Sequence, residues 1–163
     1  MNLYLIDFMI KNNLSLSCAE SCTGGLLSAK FINFAGISKI FFEGIVAYSN
    51  TAKVKRLGVS EETLKKFGAV SEQTALEMLN GLETDIRIST TGIAGPTSDN
   101  SQKPVGLVYI GLKINDKSYV QKYNFVGDRE SIRNQTVNAA LDFLCEKLLV
   151  NIDEKNCENE KGY

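Results

Sequence analysis

Hydrophobic positions along this chain recur at two spacings, and the two kinds of stretch alternate. "MNLYLIDFMIKNN" (1–13) puts Leu5, Phe8 and Met9 on one helical face, predicting a short amphipathic helix. "LSCAES" (16–21) reads as a short strand running into a turn. "TGGLLSAKFINFAG" (23–36) then carries Leu26, Leu27, the stem of Lys30, Phe31 and Phe34 at spacings of three and four, a helix ending at Gly36. "FFEGIVAYS" (41–49), rich in β-branched and aromatic residues, predicts a second strand. After "NTAKVKRLG", Ser60 caps a short helix, "SEETLKKFG", with glutamates in its first turn. Ser71 caps the next, "SEQTALEMLNGLE", along which Ala75, Leu76, Leu79 and Leu82 form one stripe.

"DIRISTTGIAG" (85–95) is a strand opening into a loop of small residues. That loop, "GIAGPTSDNSQKP", is about 13 residues, longer than a plain connection needs. "VGLVYIGLKIN" and "SYVQKYNFVG" alternate on either side of "NDKS", a hairpin signal. Asp128 then caps a last long helix with Val137, Ala140, Leu141, Leu144 and Leu148 on one face. Strands interleaved with helices, plus one hairpin, predict an α/β fold: a three-layer α/β/α sandwich with a mixed sheet. Residues 1–150 are expected to form one domain, and 151–163 a polar, flexible tail.

Composition narrows the function. The 163 residues are 44% hydrophobic and 23% charged with a net charge of -1, the balance of an ordinary globular protein. With no basic cluster, no nucleic-acid partner is expected; a small anionic ligand would need local positive charge. No apolar run approaches the ~18 residues of a membrane span, and the N-terminus lacks the marks of a signal peptide. The expected location is the cytoplasm. Cys18 and Cys22 are spaced C-x3-C, but Cys145 falls in a helical pattern, Cys157 in a polar segment, and the chain has no histidine. Free thiols are expected rather than a disulfide or a metal site.

In a sheet of this type, ligands sit at strand ends fed by strand-to-helix loops. Three such loops, "ESCTGG", "YSNTAK" and "GIAGP", share a small, hydroxylated character. Ser21 has three readings: an N-cap, part of an anion-binding turn with Thr23, Gly24 and Gly25, or a nucleophile facing an oxyanion hole of turn amides. The adjacent glycines weaken the helix start and let a ligand approach the backbone. A nucleophilic serine needs a base, and without histidine a Ser-His-Asp triad is impossible. Tyr48 and Lys53 flank a single turn, and burial or a cationic neighbour could lower the lysine into a useful range. Taken alone, Lys53 reads rather as a solvated helix lysine, like Lys55 and Arg56 beside it. Glu20 could orient a partner or pair with Lys53, or serve as a capping carboxylate. Lys103 and Arg129 are candidate anion contacts, Arg129 through its place at a helix N-terminus.

The segments "AESCTGG", "GIVAYSNTAK", "LGVSEETLKKFGAVSE", "TGIAGP", "KPVGLVYIGL" and "GDRESIRNQT", in this order, resemble the CinA C-terminal domain family, which includes nicotinamide-nucleotide amidases. The resemblance implies a stand-alone form of that domain that hydrolyses the carboxamide of nicotinamide mononucleotide. The products are nicotinic acid mononucleotide and ammonia, a salvage step toward NAD. It implies a serine, a tyrosine and a lysine at Ser21, Tyr48 and Lys53, no metal or other cofactor, and a homodimer or higher homo-oligomer. Substrate contacts are expected at Glu20, Thr23, Gly24, Gly25, Asn50, Gly92, Ala94, Gly95, Pro96, Lys103 and Arg129. Many relatives continue "GIAGP" with glycines, where this chain has "TSDNSQ". The alternative is a nucleotide-binding or regulatory protein of the same fold without turnover.

Overall fold

The computed structural model describes residues 3–98 and 102–160, with side chains followed as far as residue 150. Its core is a five-stranded mixed sheet in the order β2-β1-β3-β4-β5. The strands are β1 (Leu16–Glu20), β2 (Phe41–Val46), β3 (Ile86–Gly92), β4 (Leu107–Ile114) and β5 (Lys117–Asn124). β1 is parallel to both β2 and β3, whereas β3, β4 and β5 run antiparallel. The hairpin turns as its sequence predicts, with Asn115 in the left-handed region at φ 52°.

β1 is buried along its whole length, so its side chains serve two cores. Leu16 and Cys18 join a cluster with Leu27, Phe31, Leu141 and Leu144. These come from α2 (Leu26–Ile32) and α6 (Arg129–Glu160), and α1 (Leu3–Lys11) adds Leu5, Ile6 and Met9 on that face. Ala19 faces the other way, into a cluster with Ala47, Leu57, Met78 and Leu82. That side is covered by α3 (Asn50–Leu57), α4 (Glu61–Phe67) and α5 (Glu72–Asn80). The result is the α/β/α sandwich that the alternation of elements predicts.

Ser60 and Ser71 cap α4 and α5 as expected, accepting from the amides of Glu62 and Thr74, and Asp128 accepts from the Ser131 amide. Two expectations are corrected. α2 spans Leu26–Ile32 rather than running to Gly36, because Gly36, at φ 82°, opens a separate short turn at Ile37–Lys39. Lys30 is exposed, so the buried stripe of α2 is Leu27 and Phe31 alone. α6 itself extends to Glu160; residues 161–163 lie outside those described.

Candidate active site

Three chain segments converge where β1 and β3 end. Main-chain bonds fix them to one another: the Ser21 amide donates to Thr90 O (3.0 Å), and the Ala47 amide to Glu20 O (2.9 Å). Beyond Ala47 the chain enters α3, whose N-cap, Ser49, accepts from the Ala52 amide. One turn into that helix, Lys53 points inward and is 1% exposed. Its Nζ lies 2.9 Å from Ser21 Oγ, 3.0 Å from Ala47 O and 3.2 Å from Tyr48 O.

Those three oxygens define what the lysine can do. A neutral amine has two N–H donors and one lone pair. With its N–H groups on the two carbonyls, the lone pair faces the Ser21 hydroxyl and can take its proton. Among the described residues no carboxylate forms an ion pair with Lys53. Burial lowers its pKa from 10.5 to about 8, bringing the neutral amine within reach near neutral pH. Next door, burial pushes the Cys22 thiol up to about 12, so it is held as an unreactive thiol. Of the two adjacent groups, only the serine has a base aimed at it.

The pair opens onto a cleft of about 830 Å³, within the range of small-molecule sites. Tyr48, Asn50, Gly92, Ala94, Gly95 and Arg129 line it alongside Ser21 and Lys53. Among the described lining residues there is no carboxylate, and Arg129 is a permanent cation. Such a pocket suits an anionic ligand. Gly92 lets β3 and β4 approach here, since a Cβ on it would fall 2.6 Å from Val108 Cγ2.

Several expected residues have other duties. Glu20 does not pair with Lys53 or reach the cleft; its carboxylate accepts from the amides of Gly25, Leu27 and Ser28 and from the Ser28 hydroxyl. It therefore caps α2, and neither Ser21 nor Thr23 does. Thr23 Oγ1 lies 2.7 Å from Thr90 Oγ1, fastening the turn to β3. Gly24 and Gly25, at φ 58° and 95°, form the left-handed turn itself and stay outside the cleft lining. Lys103 donates to Phe67 O and Val70 O across the C-terminus of α4, so its ammonium serves the scaffold. Pro96 is exposed beside the lining, following a cis Gly95–Pro96 bond. The part of "TSDNSQ" at 99–101 lies outside the described residues.

Tyr48 is split between two roles. Its carbonyl orients Lys53, while its phenol, on a side chain 60% exposed, accepts from Arg129 Nη2 (2.8 Å) rather than from the lysine. Arg129 Nη1 also donates to Gly95 O (2.7 Å), so this guanidinium ties two pocket loops together. Sequence reasoning missed Arg133, which donates to Cys22 O (3.1 Å) and Thr23 O (2.8 Å). The available signal was its spacing, one helical turn after Arg129 and so on the same face of α6.

Fold and site together define an α/β protein whose cleft is built around a serine–lysine pair. The chain belongs to the CinA C-terminal domain family, whose model matches residues 1–148. A CinA-like protein of Kosmotoga olearia is 56% identical over 149 residues, covering 89% of this chain and 36% of the relative. A putative competence-damage inducible protein of Clostridium tetani is 57% identical over 146 residues, 87% of this chain and again 36% of the relative. The chain thus spans 36% of the length of these curated relatives. Among solved structures, the competence damage-inducible protein A of Klebsiella pneumoniae superposes with a TM-score of 0.86 at 34% identity, covering 89% of this chain and 92% of that one. The competence/damage inducible protein CihA of Agrobacterium tumefaciens gives 0.84 at 40%, covering 88% and 90%. Among the described residues no helix is long and apolar enough to cross a membrane.

Proposed function

We propose that this chain is an amidohydrolase that converts nicotinamide mononucleotide to nicotinic acid mononucleotide and ammonia. The observation that carries the reading is the buried Lys53 amine, held by two carbonyls with its remaining contact on Ser21 Oγ. Lys53 removes the hydroxyl proton as Ser21 Oγ attacks the carboxamide carbon. The Ser21 amide is committed to Thr90 O, which leaves the Cys22 amide, on the one turn residue after Ser21 that lines the cleft, as the donor to the tetrahedral oxyanion. Collapse breaks the C–N bond, and the lysine returns its proton to the departing nitrogen as ammonia forms. Water, deprotonated by the same amine, then cleaves the ester and releases the acid and Ser21. The carboxylate-free lining supports a phosphate-bearing substrate, with Arg129 as the exposed charge at the rim.

The test is ammonia release from nicotinamide mononucleotide by the purified protein, with Ser21→Ala beside it. The expected result is turnover in the native protein and a loss of at least about 10³-fold in the variant. If the nucleotide raises the melting temperature of both proteins while neither releases ammonia, the chain is a nucleotide-binding module without turnover.

A further inference from the structure

Glu20 is a fully buried carboxylate immediately before the nucleophile, and its side chain turns toward α2 while Ser21 faces Lys53 on α3. A carboxylate has four acceptor sites, and all four are filled. Oε1 accepts from the Ser28 amide (2.8 Å) and hydroxyl (2.6 Å); Oε2 accepts from the amides of Gly25 (2.9 Å) and Leu27 (3.1 Å). These amides are the otherwise unpaired donors of a helix N-terminus, whose positive end also favours the charge. Helix caps ordinarily come from the residue just before the first turn. Here Gly25 occupies that position with no side chain to offer, and the cap reaches in from the preceding strand.

The main chain of the same residue controls the other half of the pair. Glu20 O accepts from the Ala47 amide, and Ala47 O is one of the two carbonyls that aim Lys53. Between Ser21 and Gly25, the carbonyls of Cys22 and Thr23 are held by Arg133. The turn is therefore gripped by a cation on its carbonyls and, where it enters α2, by an anion on the amides of Gly25, Leu27 and Ser28.

We propose that Glu20 is a positioning residue for the Ser21–Lys53 pair, its carboxylate fixing the turn that presents the hydroxyl and its main chain fixing the segment that aims the amine. The inference rests on Ser21 being the nucleophile. An amide cannot replace this carboxylate: Gln has the same shape but must turn an NH2 group against backbone N–H donors that cannot rotate away. The turn must shift to relieve that conflict, and displacements on the order of 1 Å cost about 10²-fold in rate.

The experiment measures phosphonylation of Ser21 by a fluorophosphonate probe as a function of pH. It compares the native chain, Glu20→Gln and Ser28→Ala, with kcat and KM for nicotinamide mononucleotide and melting curves alongside. Glu20→Gln is expected to cut labelling and kcat by about 10- to 100-fold with KM within about twofold. The pH midpoint is expected to stay near 8, set by Lys53. General loosening of the fold would instead wet the lysine and move that midpoint up toward 10.5. Ser28→Ala, which removes one donor and leaves three amides, is expected to lose about two- to fivefold. Labelling of Glu20→Gln at the native rate, or a loss accompanied by the upward midpoint, overturns the positioning role. Where Glu20→Gln does not fold, native-rate labelling of Ser28→Ala overturns it. A native chain that is not labelled at Ser21 refutes the nucleophile reading itself, a different result from labelling that ignores Glu20.

Discussion

Lys53 Nζ sits 2.9 Å from Ser21 Oγ, and its two other contacts are main-chain carbonyls rather than acids. A carboxylate beside this lysine would hold the proton on it and raise its pKa. Carbonyls orient the amine with far less cost to its neutral form. In the proposed mechanism the buried lysine takes the place that histidine fills in a conventional triad, in a chain that contains none.

Lys53→Met keeps the stem volume and removes the base. Activity on nicotinamide mononucleotide is expected to fall by about 10²- to 10⁴-fold, the usual contribution of a general base. Stability is expected to hold or rise, because a buried charge without an ion-pair partner is replaced by an apolar chain. Turnover assays and thermal melts on the same preparation check both halves.

Stability of the native chain relative to Lys53→Met should also depend on pH with a definite sign. The folded lysine titrates near 8 and the unfolded one near 10.5, so between these values the unfolded state binds more protons. Relative stability is therefore flat below about 8, climbs from about 8 to 10.5, and is flat again above. Chemical denaturation of the two proteins across this window gives the difference directly.

Tyr48→Phe separates the two functions of that residue. The carbonyl that orients Lys53 survives, and the hydrogen bond from Arg129 to the phenol is lost. The expected change is a roughly three- to tenfold rise in KM with little change in kcat, as for a rim contact. A kcat loss as large as that of Ser21→Ala would assign the phenol to proton transfer instead.

Ser71→Ala tests the scaffold away from the chemistry. The hydroxyl accepts from the Thr74 amide at the start of α5, and its loss is expected to cost about 1 kcal/mol without altering kcat. Denaturant melts and the ammonia assay together measure this.

The parts of the fold legible from the sequence are those decided by neighbours in the chain. Ser60, Ser71 and Asp128 cap helices that begin one residue later, and "NDKS" closes a hairpin between strands that it joins directly. α2 is less legible because its cap, Glu20, belongs to the strand before it and acts across a glycine turn. The site divides in the same way. Ser21 and Lys53 stand out by their loops, but only the packing of α3 shows that Lys53 is buried while Lys55 and Arg56 are exposed. Lys103 carries a charge that looks available for an anion, and Arg133 one that no motif singles out; in the fold both donate to backbone carbonyls. No local pattern encodes those partners, which lie far away in sequence.

The most direct test of the serine–lysine account is the pH profile of kcat/KM for ammonia release from nicotinamide mononucleotide, measured between about pH 6 and 10. The account predicts one ascending limb with a midpoint near 8, where buried Lys53 loses its proton, and its disappearance in Lys53→Met. A rate that stays constant through that range, or an ascending limb that persists without the lysine, would contradict it.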